Sequence, residues 1–102
     1  MSRHEKEDDM TLKVFIKRAA TDSCIEGLDY LLRQMRGACL MQPGYISGQT
    51  LKRLDKPGEF LVISTWESLE AWENWFNGSE RREIQLEIDL LLGEETRYEI
   101  YN

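Results

Sequence analysis

Histidine is almost missing from this chain. Its single copy among 102 residues is His4, in a polar stretch at the N-terminus. That leaves almost no room for a His–Cys–carboxylate metal site or for a serine activated by histidine inside the compact part of the chain. Cysteine occurs twice, as Cys24 and Cys39, with no C-x-x-C spacing. Both fall on one expected helix, 15 residues apart, or roughly 22 Å at helical rise. A disulfide needs Cα atoms within about 7 Å, so the two do not pair within the chain, as suits a reducing cytoplasm. No uncharged run is long enough to span a bilayer, and no apolar stretch of a secretory signal opens the sequence. Positive charge is in deficit, with 13 Lys and Arg against 19 Asp and Glu and a net charge of −6. Nucleic acid, whose phosphates require a basic face, is therefore not an expected partner, and neither is a membrane. G-x-G-x-x-G, P-loop and H-E-x-x-H motifs are absent as well.

Hydrophobic patterning is what remains, and it is clear. Residues 1–10, MSRHEKEDDM, lack periodicity and read as a flexible tail before a single domain spanning 11–102. In Thr11–Arg18, Leu12, Val14 and Ile16 alternate with Lys13, Phe15 and Lys17, which predicts a strand with one apolar face. Ser23 and Glu26 have capping-box spacing, and Ile25, Leu28, Leu32, Met35 and Cys39 follow at helical spacing. Gln42-Pro43-Gly44 ends that helix. Tyr45–Leu54 and Glu59–Trp66 read as strands around the turn Asp55-Lys56-Pro57-Gly58, so they predict an antiparallel hairpin. Ser68 caps a second helix, with Leu69, Trp72 and Phe76 on one face and Trp75 at its edge. Asn77-Gly78-Ser79 interrupts it, with Ser79 expected to cap the restart. Arg81–Leu92 fits helix and strand periodicity alike; its glutamates and Gln85 favour helix, closed by Gly93. Thr96–Tyr101 predicts a last strand.

The order β-α-β-β-α-β is that of the ferredoxin-like α+β fold with an antiparallel sheet. Two helices cover one sheet face. The other face has no covering element, although either the pair Phe60 and Val62 or the pair Leu61 and Ile63 must lie on it, with Phe15 and some of the tyrosines as further candidates. An uncovered apolar sheet predicts an interface, here a homodimer packed sheet to sheet.

The aromatic cluster Trp66, Trp72, Trp75 and Phe76 first reads as core packing. Trp75, at the stripe edge, is also placed to wall a pocket for a flat apolar ligand, with Trp66 beside it. Arg81 and Arg82 read as a solvated helix face, or as one arginine at a pocket mouth pairing with an anionic group. Lys17 and Arg18 end the first strand and read as solvated; Lys17 is a second candidate cation. Tyr45, Tyr98 and Tyr101 each offer a hydroxyl, and nothing in the sequence chooses among them.

The stretch LVISTWESLEAWENWFNGSERREI, Leu61–Ile84, resembles the antibiotic biosynthesis monooxygenase domain in its Trp66-Glu67-Ser68, Trp72, Trp75 and Asn77-Gly78-Ser79. The preceding MQPGYISGQTLKRLDKPGEF is similar to that family's second strand and hairpin. The resemblance, over about Leu12–Tyr101, implies a dimeric α/β barrel built from two ferredoxin-like units. It also implies candidate pocket positions at Trp75, Trp66, Phe15, Lys17, Arg81, Arg82 and Gln85. In the haem-degrading branch a tryptophan stands where Trp75 is, the iron-ligating histidine where Gln85 is, and an asparagine near Lys17. Only the tryptophan matches. The resemblance therefore implies a cofactor-independent monooxygenase acting on a small aromatic or quinol-type substrate, with no cofactor. The alternative is a non-catalytic, small-ligand-binding dimer of the same fold.

Overall fold

The computed structural model describes residues 11–102. The expected tail, with His4, lies outside the described residues. Four strands form the sheet: β1 (Leu12–Ala19), β2 (Tyr45–Lys52), β3 (Glu59–Trp66) and β4 (Arg97–Tyr101). Three helices accompany them: α1 (Ile25–Leu40), α2 (Leu69–Phe76) and α3 (Ser79–Leu92). The sheet order is β2-β3-β1-β4, every pair is antiparallel, and the sheet is not closed. This is the expected ferredoxin-like arrangement.

Register decides which side chains meet the helices. β1 pairs with β3 so that Leu12 faces Trp66, Val14 faces Ser64, Ile16 faces Val62 and Arg18 faces Phe60. Leu12, Val14, Ile16 and Trp66 are buried under the helices with Trp72 and Trp75. A second cluster, Leu28, Leu31 and Ile88, joins α1 to α3. The opposite strand positions, Phe15, Leu61 and Ile63, lie on the uncovered face with Leu51, Arg97, Glu99 and Tyr101. Of the two pairs left open by the sequence, Leu61 and Ile63 are the outward one.

Three local expectations come out differently. No capping box forms at Ser23. The chain enters α1 through a 3-10 turn, Asp22–Cys24, so that Cys24 already has helical angles and stands as the N-cap without a side-chain bond. Ser23 is thereby one place too early. Ser79 is the first residue of α3, and Gly78 precedes it as an uncapped N-cap. Leu69 is exposed, because two turns of α2 direct Trp72 and Trp75 inward instead. Ser68 does cap α2, its hydroxyl oxygen accepting the Ala71 amide at 3.1 Å. Gly44 ends the α1–β2 connection at φ +85°, and a Cβ there would collide with Cβ of Ala71. Both the backbone angle and the close approach of α2 require glycine.

Candidate functional site

Between α1 and the β2–β3 side of the sheet lies a cavity of about 230 Å³. The sheet supplies its floor through Ile16, Val62, Ser64 and Arg18. α1 supplies Leu32, Met35 and Cys39 from one face, with Asp29, Arg33 and Arg36 beside them. Trp75 of α2 forms part of the wall. Its indole is stacked on that of Trp66 at 6.3 Å and 24°, and Trp66 meets Trp72 and Tyr45 edge-on. Trp66 is wholly buried, its Nε1 donating to the Ser64 hydroxyl at 3.1 Å. It backs Trp75 and does not itself line the cavity.

Tyr45 and Gly48 complete the β2 side. A Cβ on Gly48 would stand 2.5 Å from the Tyr45 hydroxyl oxygen, so glycine leaves room for that phenol to lie across the strand. Burial raises the Tyr45 pKa, and Cys39 adds to this. Burial also pushes the Cys39 thiol up to about 12, so it is protonated and not a nucleophile near neutrality.

Arg18 is the feature the sequence reading missed. It is buried, not solvated, and it borders the cavity. Its Nη2 donates to Oε1 of Gln85 at 3.2 Å, while its Nε is buried without a hydrogen-bond partner. Burial lowers its pKa from the ordinary arginine value. A signal was available: continuing the alternation of Leu12, Val14 and Ile16 by one step turns position 18 inward.

Gln85 is the hub behind Arg18. Its amide nitrogen donates to Asp89 Oδ1 at 2.8 Å and to Thr96 Oγ1 at 3.0 Å. Its Oε1 also accepts the Tyr98 hydroxyl at 3.2 Å. Arg81 is likewise buried. Its Nε donates to the Phe76 carbonyl at 2.8 Å, its Nη1 to Tyr98 at 3.0 Å, and its guanidinium lies 4.2 Å over the Phe76 ring. Arg81 thus ties α2 to α3 and β4 and is not at the cavity. Arg82 is exposed.

Phe15 and Lys17 point to the uncovered sheet face. Phe15 meets Tyr101 edge-on at 5.1 Å, and Lys17 pairs with Glu99 at 3.2 Å. Lys17 and Arg18 also border a larger groove, about 730 Å³, at the end of the sheet. Charge there is largely compensated: Glu59, Glu94 and Glu95 stand among Arg53, Arg97 and Lys17. Arg53 is held by Asp55 at 2.7 Å and Glu59 at 3.0 Å. The smaller cavity is the better-built site, with an aromatic wall and a buried cation held by a neutral amide.

The model of the antibiotic biosynthesis monooxygenase family matches residues 13–86. The chain belongs to this family. No curated protein sequence matches it. Solved structures resemble this monooxygenase-family domain closely in shape. A conserved protein from Methanosarcina mazei superposes with a TM-score of 0.87 at 16% identity, covering 96% of this chain and 97% of that one. A mutant of SnoaB, a cofactor-independent oxygenase from Streptomyces nogalater, gives 0.80 at 12% identity, over 90% and 91%. Rv0793 from Mycobacterium tuberculosis gives 0.80 at 15% identity, over 90% and 93%. At such identities the likeness shows the fold. In this family member the residues do not fit haem. A carboxamide stands at position 85, and both ends of it are committed to protein partners. Among the described residues, no helix is long and apolar enough to cross a membrane.

Proposed function

We propose that this member of the antibiotic biosynthesis monooxygenase family binds a small aromatic or quinol-type substrate in the cavity beneath α1 and oxidises it with molecular oxygen, without a cofactor. The observation that carries this reading is the cavity itself: the Trp75 indole lines it with Ile16, Leu32, Met35 and Val62, and Arg18 brings positive charge to it. A flat ring stacks on an indole, and a fixed cation stabilises the anion formed when the ring system loses a proton to solvent. That anion reduces oxygen, the two combine at a ring carbon, and the resulting peroxide takes up a proton. Loss of water then leaves a ring carbonyl. One oxygen atom ends in the product and the other in water.

The test is oxygen uptake with one- and two-ring hydroquinones and hydroxynaphthalenes. Uptake by the native protein, reduced about tenfold or more in Trp75→Ala by loss of positioning, supports the reading. Ligand-dependent thermal stabilisation with no oxygen consumption replaces it with the non-catalytic binding module.

The same reading makes the protein a cytoplasmic homodimer joined through the uncovered sheet face. Phe15, Leu51, Leu61, Ile63 and Tyr101 lie there in register, Leu51 and Tyr101 being 43% and 54% exposed. A sheet covered by helices on one side only requires such a partner to bury its other apolar face.

A further inference from the structure

Among the described residues Arg18 has no ion-pair partner. Only 6% of the residue is exposed. Buried guanidinium groups ordinarily stand in ion pairs, because desolvating an unpaired charge is costly. Here the described residues provide no ion pair. The one hydrogen-bond acceptor is the neutral Gln85 amide, and the Nε has none. Asp89, behind the amide, attracts Arg18 only at a remove, because its carboxylate is bonded to Gln85 Nε2. Arg81, with the same sign of charge, stands on the far side of Tyr98 and raises the local positive potential. Arg18 borders the cavity, whose one acidic lining residue, Asp29, is paired with Arg33 at 3.1 Å while Arg36 adds further positive charge; it also borders the larger groove, where Glu59, Glu94 and Glu95 stand among Arg53, Arg97 and Lys17.

We infer that the cavity selects an anion: a one- or two-ring planar ligand whose ionised oxygen pairs with Arg18 while its ring lies against Trp75. The cavity holds about 230 Å³ and opens to solvent, so it seats one or two rings against Trp75 and leaves anything larger to project from its mouth. The anionic oxygen belongs either to an enol or phenol ionised on the ring or to a carboxylate attached to it. Gln85 positions the guanidinium, since Thr96 and Asp89 fix the amide so that its oxygen faces Arg18. This inference rests on the cavity being the ligand site.

Isothermal titration calorimetry on the full chain tests it with three probes: 2-hydroxynaphthoquinone, which is ionised at neutral pH, its uncharged 2-methoxy analogue, and 2-naphthoate. The hydroxy compound is expected to bind about tenfold or more tighter than the methoxy one, as a charge-assisted hydrogen bond provides. The preference disappears in Arg18→Gln and survives in part in Arg18→Lys, which keeps the charge but not the fork. Binding of 2-naphthoate at similar strength names the carboxylate as the anionic group, and its absence names the ring oxygen. Equal binding of the hydroxy and methoxy compounds overturns anion selection and leaves the cavity reading intact. A preference that persists in Arg18→Gln overturns the role of Arg18. Failure of all three to bind overturns both readings. Should Arg18→Gln not fold, the native ratio and Arg18→Lys still decide.

Discussion

Gln85 satisfies four groups at once, so removing it leaves more than a gap. In Gln85→Ala the Arg18 guanidinium and the Thr96 hydroxyl each lose a buried partner, and the Tyr98 hydroxyl keeps only Arg81. The expected cost is about 2 kcal/mol, seen as a fall of roughly 10 °C in thermal midpoint. A change of about a degree would show that water replaces the amide. Cys39 gives a pH signature. Its folded pKa is raised to about 12 by burial, whereas the unfolded thiol ionises near the ordinary value of about 8.5. Its contribution to stability is therefore complete below that ordinary value and is lost as pH rises toward the folded one. Native alkylation at pH 8 is expected to label Cys24, which is partly exposed, and to spare Cys39 until the chain unfolds. Equal labelling rates by mass spectrometry would contradict this. At this scale the sequence was only partly readable. Trp75 could be read from the sequence either as core or as a pocket wall, and the fold buries it in the core cluster at the border of the cavity. Arg18 and Arg81 were not recognised as buried, because a charged side chain reads as solvated until its partners across the fold are known.

Helix entries show which local signals survive in context. Ser68 and Ser23 both precede apolar helical patterns with glutamate nearby, yet only Ser68 accepts an amide hydrogen bond from its helix. Ser68→Ala is expected to cost about 1 kcal/mol, and Ser23→Ala only a few tenths, since its hydroxyl serves Thr21 at the surface. Urea unfolding of the two variants separates them, and equal losses would mean that the capping box forms in solution. β1, β3 and the hairpin between β2 and β3 were legible because alternation and a Pro-Gly turn are local signals. Arg81–Leu92 was ambiguous because its apolar residues satisfy both periods. Packing of Ile88 against Leu28 and Leu31 resolves it as helix.

The uncovered sheet face governs the assembled molecule. Leu61→Lys combined with Ile63→Lys places two charges on that face and none in the core. If this face joins two copies, the double variant sedimenting as a folded monomer is the expected result, against a native dimer. A variant that stays dimeric would move the interface elsewhere. Local pattern was enough for the element order, the antiparallel α+β fold and the existence of a bare apolar face, because periodicity and turn chemistry act between neighbours in the chain. It was not enough for the cavity. Arg18 on β1, Gln85 on α3 and Trp75 on α2 are brought to one place by strand register and helix packing, and the empty volume beside them is a property of that packing. No residue type announces a void. The fold was therefore written in short-range order, and the site arose only where three distant elements meet.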